Sequence, residues 1–545
     1  MPEPLSRNLF DLLLEMANRA PDHDAVIANG QHVTWRDLEA RARRVAAGLQ
    51  AFGVMRGDRV GLLLNNRVEW LEICFGASML GAVTVPFSTW SKRAELDFLL
   101  RDSGVKVLFM LEQFGDQRYA ADLAQLIPAL QSSHPGTWRT SAYPSLERIV
   151  TLAGDALVGA DSYERLHAEP LPPVATSASR ATDDALVLYT SGSTSYPKAV
   201  RLLQSEIILN GFHIGERQGY TSADRVLVSL PLFWSYGSAN AMCATFTHGA
   251  TLVLQGRFEP GEALDLIEQH ACTAIYTLPA ATSALVSHPS FAPNRTRSLR
   301  TGLTIGSPQD LAVAAEVLGA SEICNIYGQT ETYGNCCVTW HHAPLDMRKQ
   351  FQGPPLPGMR VRIVSPETGD PISPGETGLI EVGGRVTPGY SGKSEALNIE
   401  AVTEDGYLKT GDLGRIAPDG SLQFLGRNTE MIKRAGINIS PAEIEEMLQQ
   451  HKDVALAGAV GVPEAEKGEM IVAFVVAAPG SAVTSEELRV HCRALASSYK
   501  TPDRIEICAE LPSTPTGKLL RKELKSMAAA LLAAKQPNEA VDAAA

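Results

Sequence analysis

Short apolar runs alternate with helix-period segments along the first 330 residues, and that alternation restricts what the chain can fold into. DRVGLLL reads as a strand, EWLEICFGASMLG as a buried helix, AVTVPF as a strand, RAELDFLLRDSG as a helix and VKVLFML as a strand. Strands that are apolar at successive positions need cover on both faces, which is the signature of a parallel sheet between helical layers. The pattern resumes at DALVLY, DRVLVSL, ATLVLQ, CTAIYTLP and SLRTGLTIG. Helix limits are legible too. In TWRDLEARARRVAAGLQAFG, Thr34 is placed to cap, an acidic residue follows three positions later, and Gly53 marks the stop.

From Pro357 the texture changes. MRVRIVS, TGLIEVGG, YLKTGDLGRI and LQFLGR are short strands set apart by PETGD, PGE and PDG turns, an antiparallel pattern. After Gly426 comes a compact unit with helices at PAEIEEMLQQH and SEELRVHCRALA and strands near VALAGAVGV, EMIVAFVVA and DRIEICAEL. The expected organisation is a large unit over 1–426, a small α+β unit over 427–527, and an Ala-rich tail over 528–545 with no stable structure beyond a helical turn or two. The fold class is α/β: two doubly wound, mainly parallel sheets with a small antiparallel region, then the small unit.

A chain of 545 residues is too long for one core, and 45% hydrophobic with 20% charged residues is ordinary for a globular protein. The formal charge of -13 argues against a general nucleic-acid or anionic-membrane binder, although a local cluster of donors can still hold a small anion. Eight cysteines form no CxxC pair, which points to reduced thiols in the cytoplasm. Cys336-Cys337 beside His341-His342 does not complete a zinc spacing. MPEPLSRN has no basic segment followed by an apolar core, and no run of 18 apolar residues occurs, so neither export nor a membrane span is expected.

The stretch Tyr189–Val200, YTSGSTSYPKAV, follows the apolar run ALVL. A Ser/Thr/Gly loop at the carboxyl end of a strand sits where open α/β sheets bind ligands. Gly192 lets a ligand approach the backbone, Ser191, Ser193 and Thr194 offer hydroxyls and N–H groups to phosphate, and Lys198 adds charge. The order is not GxxxxGK[ST]. IYGQTET, YLKTGDLG, FLGRNTEMIKRAGINISPAEIE and LPSTPTGKLLRKEL follow in that order. With YTSGSTSYPK they resemble the consensus series of the adenylate-forming superfamily, which contains acyl-CoA synthetases, peptide-synthetase adenylation domains and luciferases. The resemblance spans nearly the whole chain, to Leu524.

That resemblance implies a chemistry that the residues can support. A carboxylate is a poor acyl donor until AMP replaces its oxide as leaving group, so ATP, the acid and Mg²⁺ must be held together against charge repulsion. Thr190, Ser191, Gly192, Ser193, Thr194 and Lys198 match the phosphate loop. Tyr327 matches the adenine-stacking aromatic, Thr330 an α-phosphate contact, and Glu331 the Mg²⁺ carboxylate, with Thr194 as a second metal ligand. Asp412 matches the acceptor of both ribose hydroxyls and Arg427 a second ribose or phosphate contact. Gly306 and Ser307 match an adenine-lining turn, and Asn325, Gly328 and Lys433 complete the nucleotide set. Lys518 matches the essential lysine that bridges the substrate carboxylate and α-phosphate. Rotation of a mobile small unit would then withdraw Lys518 and present KRAGINIS, where Gly436 gives room to the pantetheine arm of CoA.

This chain departs from the family pattern twice. Thr429 stands at the hinge where Asp or Lys is common, and its β-branch narrows the accessible φ/ψ. Trp234, in PLFWSYG, stands where many relatives have His; it offers either a bulky pocket wall with one N–H donor or simple core packing. The acyl pocket is expected to be lined by Trp234, Tyr236, Gly237, Met242, Tyr333, Gly334 and Cys336, with Gly306 at its edge. These side chains offer no obvious cation for a second carboxylate, and SYGSANAM has no Asp for an ammonium. The expected substrate is therefore a monocarboxylic acid, aliphatic or aromatic. The leading function is an ATP-dependent acid–CoA ligase. The alternatives are an enzyme that loads a separate carrier-protein thiol, luciferase-like oxygenation of the adenylate, and a nucleotide-binding regulatory pseudoenzyme. The partners implied are the acid, ATP and CoA, with a homodimer left open.

Overall fold

The computed structural model describes residues 2–168, 174, 176–190, 197–434, 437–464, 468–495, 500–514 and 519–533. Two eight-stranded sheets dominate it. One is ordered Cys337–Val338, Cys324–Tyr327, Thr301–Thr304, Ala274–Tyr276, Arg225–Val228, Thr251–Leu254, Asp24–Ala28 and Gln31–Thr34. Its six central strands are parallel and the outermost strand at each edge is antiparallel. The other is ordered Tyr390–Ser391, Lys198–Leu203, Asp184–Thr190, Val83–Pro86, Arg59–Leu63, Val105–Met110, Arg148–Thr151 and Asp161–Ser162. The α/β class read from the alternation is the class observed.

Helices cover these sheets as the sequence demands. Val68–Met79 is buried at every position but Glu69, because sheet lies on one side of it and other helices on the other. Thr34 Oγ1 caps the helix Trp35–Ala51 by accepting the Asp37 N–H at 3.1 Å, and Gly53 leaves it at a φ of 76°. Trp35 meets Phe246 edge-on at 4.7 Å and Phe75 stacks on Phe246 at 5.6 Å, which locks the helical layer between the sheets.

A third, antiparallel sheet joins Met359–Val364, Gly378–Gly384, Leu408–Ile416 and Leu422–Arg427. A fourth joins Ile437–Ile439, Ile432–Arg434, Gly468–Ala477 and Val454–Glu464, with Arg504–Ile507 parallel to 468–477. This last sheet has cores of its own, around Ile444 and Ile471 on one face and Phe474 and Leu524 on the other. No described helix is long and apolar enough to cross a membrane.

Three details add to the sequence reading. Residues 528–533 complete the helix Arg521–Ala533, because Ala528 is fully buried and Leu531 and Leu532 pack against the cluster that contains Phe474. Lys198 is the first residue of a strand antiparallel to Asp184–Thr190 and pairs with Thr190. SYGSANAM enters a π-helix over Tyr236–Met242, a local widening that recurs at functional sites.

Candidate active site

The hairpin, the Tyr327–Thr332 segment and the third sheet converge on one place. Thr190 and Lys198 face each other at the base of the hairpin. Ser191, Gly192, Ser193 and Thr194 lie outside the described residues. The Lys198 ammonium sits 5.2 Å from the centre of the Tyr390 ring. The Tyr390 hydroxyl in turn donates to Glu331 Oε1 at 3.0 Å. Burial, with the Glu331 charge beside it, pushes the Tyr390 phenol above its ordinary range, so it remains a donor at neutral pH. The Thr387 N–H donates to the Glu331 carbonyl at 2.7 Å, and Thr387 Oγ1 donates to the Arg201 carbonyl at 2.7 Å. The 387–391 segment thus straps Glu331 to the hairpin.

Glu331 is 8% exposed. Among the described residues no cluster of three His, Cys, Asp or Glu side chains could hold a metal. A lone recessed carboxylate fits a hard cation that keeps water and phosphate as its remaining ligands, and does not fit an all-protein cage.

The other end of the site is assembled from strand pairing. Asp412 and Arg427 lie opposite one another on Leu408–Ile416 and Leu422–Arg427, which brings Arg427 Nε to 3.1 Å from Asp412 Oδ1. The Tyr327 hydroxyl donates to Asp412 Oδ2 at 2.7 Å, and the Tyr327 ring stacks on Phe424 at 5.5 Å. Burial pushes the Tyr327 phenol up, with the Asp412 charge adding to the shift. Thr330 Oγ1 lies 3.1 Å from Ser235 Oγ. Gly328 has no room for a side chain, since a Cβ there would come within 2.4 Å of the Gly334 carbonyl oxygen.

Gly306, at a φ of 141°, leads into Ser307, which caps the helix Pro308–Ala312 through reciprocal bonds with Asp310. Burial raises the Asp310 carboxyl above the usual range. Asn325, read as a nucleotide contact, is corrected by the geometry. Its amide donates to the Arg348 carbonyl at 3.0 Å and its Oδ1 accepts the Ile326 N–H at 2.9 Å, so the side chain holds the strand end.

The seven residues read as pocket walls divide. Trp234 lines a cavity of about 360 Å³ with Asn65, Trp90, Phe233, Arg257 and Leu278. Those residues lie at or beyond the carboxyl ends of strands from both large sheets, which is where α/β sheets take ligands. Trp234 meets Trp90 edge-on at 5.1 Å. Tyr236, Gly237 and Met242 lie on the π-helix, and Tyr333, Gly334 and Cys336 on the segment after Glu331. None of these six lines that cavity. Tyr333 is fully buried, and its hydroxyl accepts the Leu203 N–H at 3.2 Å, so it buttresses the hairpin strand. Seven of the eight cysteines, Cys336 and Cys337 among them, are buried free thiols, and desolvation raises Cys324 to about 12.

In the small unit Lys433 is exposed, and its N–H donates to Glu469 Oε2 at 2.6 Å. Lys518 and Gly436 lie outside the described residues. Thr429 falls in the turn Asn428–Glu430, whose Glu430 accepts from Arg521 Nε at 2.9 Å. Arg521 also donates to Glu445 and to the Ala459 carbonyl, tying the end of that turn to the helix Arg521–Ala533.

Two residues of the site went unread in the sequence, Tyr390 and Ser235. The Pro388-Gly389 turn before Tyr390 was a usable signal, since it aims the next residue across a sheet edge. Ser235 stood between Trp234 and Tyr236, and only the fold brings it to Thr330.

A two-sheet α/β fold that sets Lys198 and Tyr390 beside a recessed glutamate, with an aspartate–tyrosine–arginine group beyond it, fits an adenylate-forming enzyme. The model of the AMP-binding enzyme family matches residues 13–391, and that of the AMP-binding enzyme C-terminal domain matches 443–518. The chain belongs to this family. It is 31% identical to a putative acyl-CoA synthetase, YngI, of Bacillus subtilis over 539 residues, covering 96% of this chain and 98% of that one. It is 32% identical to a feruloyl-CoA synthase of an Amycolatopsis species over 511 residues, covering 93% and 96%. The crystal structure of ATP-bound MatB from Rhodopseudomonas palustris superposes with a TM-score of 0.83 at 26% identity, covering 96% of this chain and 99% of that one.

Proposed function

We propose that this protein is an ATP-dependent carboxylic acid–CoA ligase that forms an acyl-adenylate, releases pyrophosphate, and passes the acyl group to the CoA thiol with loss of AMP. One observation carries the reading. The five residues Tyr327 to Glu331 reach from the Asp412–Arg427 pair at one end to the Tyr390–Lys198 pair at the other. That is the layout a single extended nucleotide needs, with ribose acceptors at one end and a cation carboxylate with a lysine at the other.

In this reading Asp412 accepts the ribose hydroxyls, Tyr327 and Phe424 shape the adenine face, and Thr330 meets the α-phosphate. Glu331 would hold Mg²⁺, which would supply positive charge against the phosphates. Thr190, Ser191, Gly192, Ser193 and Lys198 are assigned to the outer phosphates, with the Thr194 hydroxyl offered to the metal. Gly306, Ser307 and Gly328 line the nucleotide, and Lys433 and Gly436 face the incoming thiol. Lys518 neutralises the carboxylate and α-phosphate as they meet.

The acid lies between the π-helix 236–242 and the segment 332–336. The cavity beyond Trp234, with Arg257 exposed at its rim, is the approach of the pantetheine arm, and Trp234 partitions the two. The units 1–426 and 427–527 act as two lobes that turn about Thr429 between the half-reactions. The separate cores on the two faces of the fourth sheet support that division. The buried free thiols and the bacterial relatives support a cytoplasmic setting.

The test is pyrophosphate release from ATP and Mg²⁺ across short, medium, long and aryl acids, followed by thioester formation with CoA. Release that needs the acid, and thioester that needs CoA, is the expected result. Nucleotide binding with no acid-dependent release would leave the pseudoenzyme reading, and release without CoA transfer would leave a carrier protein as acceptor. Within the site, Tyr390→Phe removes the hydroxyl that Glu331 accepts. A hydrogen bond to a charged group is worth about 1.5 kcal/mol or more. The variant should therefore adenylate roughly tenfold more slowly and need more Mg²⁺ for half-maximal rate, as read from initial rates against Mg²⁺ concentration.

A further inference from the structure

Two arms frame the Lys198–Glu331 end of the site, and both reach the same helix. One arm is the strand Asp184–Thr190, whose last residue faces Lys198. The other is the segment around Tyr390, whose hydroxyl donates to Glu331. The helix is Arg93–Ser103, and it meets both arms with two side chains one turn apart, Phe98 and Asp102. Asp102 Oδ2 accepts the Tyr189 hydroxyl at 2.8 Å, and Asp102 Oδ1 accepts the Lys393 N–H at 2.8 Å. Phe98 touches the same two residues. Its ring meets the Tyr189 ring edge-on at 6.3 Å, and the Lys393 ammonium sits 5.2 Å from its centre.

The fit around the carboxylate is close. Gly392, at a φ of 62°, lies against it, and a Cβ there would come within 2.5 Å of Asp102 Oδ2. Helix energetics do not ask for an acid at this position. Asp102 is the penultimate residue of its helix, where the free backbone carbonyls disfavour negative charge. The carboxylate therefore serves the two arms rather than its own helix. In the sheet, the strand Lys198–Leu203 lies between those arms. Ala199, next to Lys198, pairs with Tyr189 on one side and with Ser391 on the other, and its N–H donates to Ser394 Oγ at 3.0 Å. Asp102 thus spans the lysine strand and ties its two neighbours together.

We propose that Asp102 is a positioning residue for the grip on the outer phosphates. It touches no substrate. It fixes the sheet edge from which Lys198 and Tyr390 reach the nucleotide. The inference rests on the ligase reading, in which the Lys198–Glu331 end takes the outer phosphates and the Asp412 end takes the nucleoside. A nucleotide that carries outer phosphates then depends on Asp102, and AMP does not. A residue that merely supports the fold would affect both alike.

The test is calorimetric titration of the full chain with AMP and with α,β-methylene-ATP, each in excess Mg²⁺. Asp102→Ala should weaken the ATP analogue roughly tenfold, as the loss of a charge-assisted hydrogen bond implies, and leave AMP within about twofold. In ATP–pyrophosphate exchange the same variant should raise KM for ATP and leave KM for the acid unchanged. Asp102→Asn keeps one acceptor and should recover part of the loss. Tyr189→Phe removes one of the two donors and should give a smaller loss of the same kind. Added to Asp102→Ala, it should cost nothing further, because both act through one contact. Equal weakening of AMP and the ATP analogue would overturn the proposal, as would parental affinity for the analogue in both Tyr189→Phe and Asp102→Asn. Tyr189→Phe keeps its ring against Phe98, so the proposal can fail even where Asp102→Ala does not fold. A parent protein that binds neither nucleotide would overturn the ligase reading, and this inference with it.

Discussion

Lys518→Ala should stop adenylate formation and spare the second half-reaction. The first step brings a carboxylate against the α-phosphate, two anions whose repulsion Lys518 is assigned to neutralise. Removing one preorganised donor from such a transition state costs about 10²–10³-fold. A full positive charge lost between two anions should cost at least the upper end of that range, so ATP–pyrophosphate exchange should fall by ~10³-fold or more. With acyl-adenylate supplied, the nucleotide is already the leaving group and the lysine has no charge left to balance. Thioester formation from CoA should then stay within a few-fold of the parent. Equal loss of both steps would mean that one conformation serves both reactions.

Asp412→Ala has the second largest expected effect, and it falls on the nucleotide. Asp412 is 4% exposed, and its partners include the Tyr327 hydroxyl at 2.7 Å and Arg427 Nε at 3.1 Å. If it also accepts both ribose hydroxyls, two charge-assisted bonds disappear, each worth about 1.5–3 kcal/mol. The loss in kcat/KM for ATP should then be about 10²–10⁴-fold, and AMP affinity should drop in parallel. Asp412→Asn keeps the shape and one acceptor, so it should recover part of the loss. The decisive comparison uses 2′-deoxy and 3′-deoxy ATP. On the parent each analogue should be a poorer substrate than ATP, and on the alanine variant the three should converge. Unchanged discrimination on the variant would move the ribose contact elsewhere.

Much of this site was legible in the sequence, because each motif is a short local segment. Tyr327 and Glu331 are four residues apart, and Asp412 and Arg427 face each other across one strand pair, so the motifs that carry the resemblance hold residues the fold keeps close together. The strand and helix alternation was legible for the same reason, since burial on both faces writes itself into consecutive residues such as Val105–Met110. What stayed hidden depends on pairing between distant segments. Tyr390 reaches Glu331 because Tyr390–Ser391 adds to the edge of Lys198–Leu203, nearly two hundred residues earlier. The strand that begins at Lys198 stayed hidden because the hairpin partner of Thr190 cannot be seen from Tyr196-Pro197. Tyr333 looked like a pocket wall, yet it turns inward at a φ of 57° and binds Leu203. Residues 528–533 read as a helical turn or two, and only the fold shows the face of the fourth sheet on which Ala528 packs.

A crystal structure with a non-hydrolysable acyl-adenylate analogue bears most directly on whether one cleft holds nucleotide, acid and lysine together. Expected are the ribose hydroxyls on Asp412, the adenine against Tyr327, the acyl carbonyl near Thr330 and Ser235, and the Lys518 ammonium within hydrogen-bond reach of both carbonyl and phosphate. An analogue bound away from Asp412, or seated there with Lys518 remote in every crystal form, would contradict that arrangement.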